Sequence, residues 1–312
     1  LSLRRHVLCV GSATLDHVLE LDALPAGEGK QLARASRWSG GGPAATAAVA
    51  VASLEGKATW CGLTGDDNNG LAVALMLNEA GVEICDDSLV PGAKTPIATV
   101  LVDAVGRRWI GCYIGEGLDT ALVSPRLPSL ADVDVIVAEA WSVPLSTAAL
   151  KQALVRGTPR VLDWEIPPGF DHDMADPSGA VELAGLADHV IFSTEGLAAF
   201  TGMGDMDAAL LAAADRLPHA VVAVTLGPAG SAWTTSEGVF HVRAFAVDAQ
   251  DTTGCGDVFH GAYALAIGEG MPVSRAAIFA TAAAALKAEH GNGWKGMPDR
   301  SSTDSLVSKG WA

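Results

Sequence analysis

Short runs rich in valine and isoleucine, at residues 6–11, 58–62, 133–138, 160–163, 189–192 and 220–225, constrain this chain more than any other feature. They are apolar at consecutive positions rather than alternate ones, which is the pattern of strands buried on both faces. Alanine- and leucine-rich segments with helical spacing lie between and after them, at 43–54, 68–80, 145–155, 206–217 and 258–266. Buried strands alternating with helices predict an α/β fold, a mainly parallel sheet sandwiched by helices. Two stretches break the alternation. Residues 15–37 and 96–113 read as short strands with polar or glycine turns, such as Asp103-Ala-Val-Gly106, and no helix between them. They are expected to pair into a small sheet projecting from the main body. No repeat or long linker divides the 312 residues, so a single domain, 1–312, is expected.

Charge narrows the partners. Lys+Arg number 20 and Asp+Glu 36, so the net charge is −16. Such a field repels phosphate backbones and anionic membrane surfaces, and neither nucleic acid nor a membrane is an expected partner. The 5 cysteines are scattered without a C-x-x-C pair, which argues against a disulfide framework and a structural zinc. The apolar run 7–10 is too short for a signal peptide, and the longest apolar stretch, 44–54, falls short of the ~18 residues of a membrane span. A cytoplasmic location is expected.

The strongest chemical signal is Asp251-Thr-Thr-Gly-Cys-Gly-Asp257, followed by the helically spaced run 258–266. Residues 254–257 are thus expected at a helix N-terminus, where small residues let backbone N–H groups approach an anion. Asp257 would stand beside that anion, placed to take a proton from an attacking hydroxyl. A helix cap explains one aspartate there, but not two framing Thr-Thr-Gly-Cys-Gly. Gly40-Gly-Gly-Pro-Ala-Ala-Thr46 opens an alanine-rich helix, with proline in the first turn and glycines that admit a close ligand. Thr225-Leu-Gly-Pro-Ala-Gly230 is a tight turn after a strand.

Other matches are set aside. Gly291-Asn-Gly-Trp-Lys-Gly296 fits G-x-G-x-x-G, but it follows a helical segment and no helix is expected after it. Asp171-His-Asp173, beside Pro167-Pro-Gly169, reads as a turn rather than a metal cluster. A nicotinamide-dependent oxidoreductase would need a glycine fingerprint after its first strand, and none is there.

At these motifs, and over nearly its whole length, the chain resembles the ribokinase-like (PfkB) carbohydrate kinases. The resemblance implies a Rossmann-like core with a small β lid, here about 15–37 and 96–113, and a homodimer formed through that lid. It implies transfer of the γ-phosphoryl of ATP, with Mg²⁺, to a hydroxyl of a sugar or nucleoside. Asp257 matches the catalytic base, and Gly254, Cys255 and Gly256 match the anion hole, with cysteine where the family has alanine. Asp16, Gly41 and Gly42 match sugar ligands, and Thr46 stands where the family has asparagine. Thr225, Gly227 and Gly230 match nucleotide contacts, and Thr281 matches an adenine-pocket position. The carbonyls of Asp251 and Thr253 match a K⁺ site. The family's N-x-x-E falls at Ser193-Thr-Glu-Gly196, so Ser193 and the displaced Glu195 are the expected nucleotide- and magnesium-side groups.

Within the family, Gly29-Lys30, residues 40–50 and 257–262, and Ala285-Leu-Lys287 look like the sulfofructose kinase subgroup. The positions expected to hold the sulfonate fall at Cys112 and Trp141, which leaves Lys30 to meet an acidic group. The resemblance therefore implies a ketose-like sugar or sugar acid as acceptor. A nucleoside kinase, or a sugar- or nucleoside-binding member without turnover, is the alternative, and the intact Asp257 weighs against a pure binder.

Overall fold

The computed structural model describes residues 4–119, 126–165 and 177–310. Its strands are, in chain order, β1 (His6–Val10), β2 (Thr14–Glu20), β3 (Ala35–Gly41), β4 (Lys57–Cys61), β5 (Thr64–Gly65), β6 (Val82–Ile84), β7 (Leu89–Val90) and β8 (Ile97–Val102). They continue with β9 (Arg108–Tyr113), β10 (Val135–Glu139), β11 (Arg160–Trp164), β12 (His189–Phe192), β13 (Val221–Thr225), β14 (Ser231–Thr235) and β15 (Gly238–Val242). The helices are α1 (Pro43–Ser53), α2 (Asn68–Glu79), α3 (Val143–Arg156), α4 (Pro177–Gly185), α5 (Thr194–Thr201), α6 (Met206–Arg216), α7 (Cys255–Gly268), α8 (Val273–His290) and α9 (Arg300–Lys309).

A 9-stranded sheet in the order β15-β14-β13-β12-β11-β10-β1-β4-β6 forms the body. From β6 to β13 every pairing is parallel, and β14 and β15 add an antiparallel hairpin at one edge. The reason for the unbroken apolar runs is visible in β1. Val7 and Cys9 enter the core on one face, with α1, α7 and α8, while Leu8 and Val10 enter the core on the other, with α3, α5 and α6. Both faces are covered, as expected of an α/β sandwich. Small residues set the spacing of the helices over the site. A Cβ on Gly261 of α7 would lie 2.4 Å from the Ala47 carbonyl oxygen of α1, so these two helices touch backbone to backbone.

The stretches outside the alternation do pair. They form a 4-stranded sheet in the order β3-β2-β8-β9, with β2 and β8 parallel. Its register puts Ser39, Asp16, Ala98 and Cys112 in one row across the four strands. The opposite face carries His17 and Trp38, stacked at 4.2 Å between ring centroids, and exposed Trp109. β3 runs on to Gly41, beyond the end at residue 37 indicated by the sequence, and leads straight into α1. Helix α7 begins at Cys255, earlier than the run 258–266 indicates, because Gly256 and Asp257 carry no apolar side chain to extend the periodicity. A helix, α9, does follow Gly291–Gly296; it is polar and amphipathic, and its pattern is weak. All five cysteines are free thiols. No single helix among the described residues is long and apolar enough to cross a membrane. The segment Asp171-His-Asp173 lies outside the described residues.

Candidate active site

Strands β1, β10, β11, β12 and β13 run in the same direction, so their C-terminal ends share one edge of the sheet. Gly11 and Ser12 follow β1 there, Glu139 closes β10, Glu165 follows β11, Ser193 follows β12 and Thr225 closes β13. Open α/β sheets bind ligands at this edge, where loops diverge and helix N-termini point inward. The small sheet stands over it on the side of α1 and α7.

A cavity lies between them, lined by residues of both. Its floor is the glycine run. A Cβ on Gly41 would meet the Asp16 carboxylate at 2.2 Å, and one on Gly40 would meet the Trp294 ring at 2.2 Å. Gly42 has φ 88° at the entry to α1, a conformation that favours glycine. Asp16 accepts a hydrogen bond from Thr14 Oγ1 (2.6 Å), and Thr46 Oγ1 accepts one from Trp294 Nε1 (3.0 Å). The far wall is the Asp251–Asp257 segment. Gly254 caps α7, and the carboxylate of Asp257 sits close above it. The Cys255 amide of that first turn donates to the Thr252 carbonyl (3.3 Å), and the amides after it have no helical partner, so they and the helix dipole favour an anion.

Charge in the cavity is predominantly negative. Burial first, and then the carboxylates of Glu165, Glu139 and Asp16, push Asp257 up to about 8, against a lowering by Arg108. Burial raises Asp16 to about 6, with Thr14 and Arg37 opposing it. Arg37 of β3 donates from Nη2 to Asp251 (2.8 Å), whose other oxygen accepts from the Thr253 amide (2.9 Å). Arg108 of β9 donates to Thr252 Oγ1, tying the small sheet to the same segment from its other edge.

Asp16, Gly41, Gly42, Thr46, Asp251, Thr253, Gly254 and Asp257 line one cavity, and Cys255 and Gly256 begin α7 beside it. The other candidates lie elsewhere. Ser193 caps α5 by accepting from the Gly196 amide (3.0 Å), and Glu195 is exposed in the first turn. Thr225, Gly227 and Gly230 occupy the turn after β13 on the same sheet edge. Thr281 is buried in α8 and spends its hydroxyl on the Ala277 carbonyl (2.7 Å). Lys30 is exposed in the loop between β2 and β3, outside the cavity lining.

Several residues of the site carry no motif. Glu139 is buried and accepts from the Ser12 amide (2.7 Å), Ser12 Oγ (3.1 Å), the Ala44 amide (3.2 Å) and Ser142 Oγ (3.2 Å). It fixes the turn after β1 to the start of α1, and burial lifts it to about 7. Behind Asp257, one turn along α7, buried His260 faces Asp163 with Nδ1 3.3 Å from Oδ2. Burial lowers this histidine to about 4 and raises Asp163. Trp294 and Lys287 also line the cavity, and Trp294 comes from the glycine segment that the motif search sets aside. An acid closing an otherwise apolar strand was the one available signal for Glu139.

Comparison with known proteins agrees with this architecture. The family model described as "pfkB family carbohydrate kinase" matches residues 4–300. The ATP-dependent ribose-1-phosphate kinase of Halopiger xanaduensis is 29% identical over 90% of this chain and 91% of its own. The fructokinase of Klebsiella pneumoniae is 30% identical over 83% of this chain and 85% of its own. A crystal structure of a candidate ribokinase from Agrobacterium tumefaciens superposes with a TM-score of 0.90, at 31% identity, over 98% of both chains.

Proposed function

The chain belongs to the pfkB family of carbohydrate kinases, and from that premise we propose that it transfers the γ-phosphoryl of ATP to a hydroxyl of a neutral, ketose-like monosaccharide. The observation that carries this reading is the meeting of Asp16, Gly41 and Asp257 in one cavity at the N-terminus of α7. Asp16 and the Gly41–Gly42 backbone hold the sugar hydroxyls and aim one of them at Asp257. As the acceptor oxygen bonds to phosphorus, its proton passes to the Asp257 carboxylate, and the bond from phosphorus to ADP breaks. The amides of residues 254–257 stabilise charge on the phosphoryl oxygens during the transfer. Thr225, Gly227 and Gly230 hold the nucleotide along the sheet edge, with Thr281 packing the helix beside it.

Magnesium fits the donor set on one side of this site. Mg²⁺ takes only one or two protein carboxylates besides phosphate oxygens and water. Burial first, and then Glu195 against a lowering by Arg108, raises Glu165, and Glu165 in turn acts on Asp257. Glu165 and Glu195 would hold the ion, and it would neutralise phosphate charge.

A neutral acceptor follows from the lining. Asp16, Asp251 and Asp257 outnumber the two cations of the lining: Arg37 pairs with Asp251, and Lys287 is buried and donates to the Gly291 carbonyl. Carboxylates suit sugar hydroxyls and repel sulfonates or carboxylates. Cys112 shares the Asp16 row and adds no charge-assisted donor. The small sheet acts as the lid, closing over the sugar and excluding water, and its outer face pairs with a second copy. A coupled ADP-release screen over neutral monosaccharides, sugar acids and nucleosides tests the reading. Turnover on a neutral ketose is expected, and exclusive turnover of sugar acids or nucleosides would overturn it.

A further inference from the structure

Lys287 is the one residue of the cavity whose charge is fully enclosed. It stands in the last turn of α8, is 1% exposed, and donates from Nζ to the Gly291 carbonyl at 3.4 Å. Among the described residues no carboxylate lies within ion-pair distance of it. An ammonium buried without a carboxylate partner is costly unless oxygen dipoles surround it.

Those dipoles are present. The last carbonyls of α8 form the negative end of its macrodipole. The segment that begins the Asp251–Asp257 motif is folded onto this helix end, with the Gln250 and Asp251 amides donating to the Ala288 carbonyl at 2.8 and 3.2 Å. Gly291, whose carbonyl receives the ammonium, packs against Asp251: a Cβ on it would lie 3.2 Å from the Asp251 Cβ. Lys287, Asp251, Thr253 and Gly254 line the same cavity.

The carbonyls of Asp251 and Thr253 are those that the family resemblance assigns to K⁺. Carbonyl oxygens gathered at a helix end call for a positive charge, and the Lys287 ammonium, close to K⁺ in size and charge, already meets the Gly291 carbonyl there. An exchangeable K⁺ in the same cavity would meet the buried Lys287 ammonium, and like charges in a low-dielectric site repel strongly. We infer that Lys287 supplies, from within the chain, the positive charge that orders the 251–254 segment at the N-terminus of α7, and that this protein works without K⁺. The inference rests on the reading of the cavity as the phosphoryl-transfer site, but half of its test does not.

The test compares melting temperature and ADP-release rate in choline chloride and in KCl at equal ionic strength. For the wild-type protein both are expected to agree, the rates within about twofold. In Lys287→Met, which keeps the apolar stem and removes the charge, melting temperature and rate are expected to rise saturably with K⁺ or NH₄⁺. A wild-type melting temperature that rises saturably with K⁺, or a rate raised more than about fivefold by it, overturns the inference. A Lys287→Met protein as stable and active as wild type in choline overturns it too. If that variant does not fold, the wild-type titration decides alone. If no sugar is turned over, the kinase reading fails while the melting comparison still decides the role of Lys287.

Discussion

The carboxylate of Asp16 lies directly over the α-carbon of Gly41, where a Cβ would stand 2.2 Å from Oδ2 and 2.5 Å from Oδ1. The side chain is also held by Thr14 Oγ1 at 2.6 Å, so making room for a Cβ would disturb that bond as well. Glycine at position 41 is thus the condition for an acidic group reaching this part of the cavity.

Gly41→Ala is expected to displace Asp16 and misplace the sugar. A shift of about 1 Å at a positioning group costs up to ~10²-fold, so kcat/KM for the sugar should fall by roughly tenfold to a hundredfold. The KM for ATP should stay near its wild-type value. Steady-state kinetics with each substrate varied in turn measures both, and an unaltered sugar kcat/KM would remove Asp16 from the sugar site.

Asp257→Asn preserves shape at the N-terminus of α7 and removes the proton acceptor. The turnover number should drop by roughly 10²–10⁴. Nucleotide affinity, measured by calorimetry on the variant, should change little, because the amides of the first turn remain. Near-native turnover would dismiss Asp257 as the base.

The parts of this molecule legible from sequence are those where one residue type answers one physical demand. β1 announces itself because all five of its residues are buried, and the pattern cannot alternate. The Gly40–Gly42 run is legible because three different neighbours exclude a side chain there: Trp294, Asp16 and the Ser12–Ala13 backbone. Residues whose role depends on a distant partner are not legible. Lys287 enters the sequence reading only as part of a subgroup pattern, and its burial appears only once α8 is seen to end against Asp251. Arg37 closes a stretch expected to form strands, and its partner lies 214 positions away in the chain. Trp294 misleads in the opposite sense, since its glycine-rich setting imitates a dinucleotide fingerprint while its indole lines the cavity and donates to Thr46. Where Lys30 stands relative to the cavity is likewise a matter of the fold: its loop between β2 and β3 is exposed and lies outside the lining.

The outer face of the small sheet predicts an association. Trp38 and Trp109 are 53% and 58% exposed on it, an apolar area of the kind that marks an interface when contiguous. Sedimentation velocity should show a dimer, and replacing both tryptophans with glutamate should give a folded monomer. A wild-type protein that sediments as a monomer at micromolar concentration would leave this face without its proposed partner.

The elevated Asp257 ties catalysis to stability through pH. Its ordinary value is 3.8, and in the folded protein it stands near 8, so between those limits the native state holds a proton that the unfolded chain has released. Stability from this group is fully present below about pH 4 and is lost as pH rises toward 8. His260 acts in the opposite sense. Lowered from 6.5 to about 4, it withdraws stability as pH falls through that window, and equally from wild type and variant. Asp257→Asn cannot lose the proton, so it should melt above wild type at pH 8–9, by at least about 2 °C, and converge with it at low pH. Activity should follow the opposite course, because only the ionised carboxylate accepts a proton. The wild-type kcat/KM should climb about tenfold per pH unit toward pH 8 and then level. A flat profile from pH 6.5 to 9, together with identical melting of the two proteins across that range, would mean that Asp257 carries no elevated proton affinity and that the carboxylates around it do not act on it.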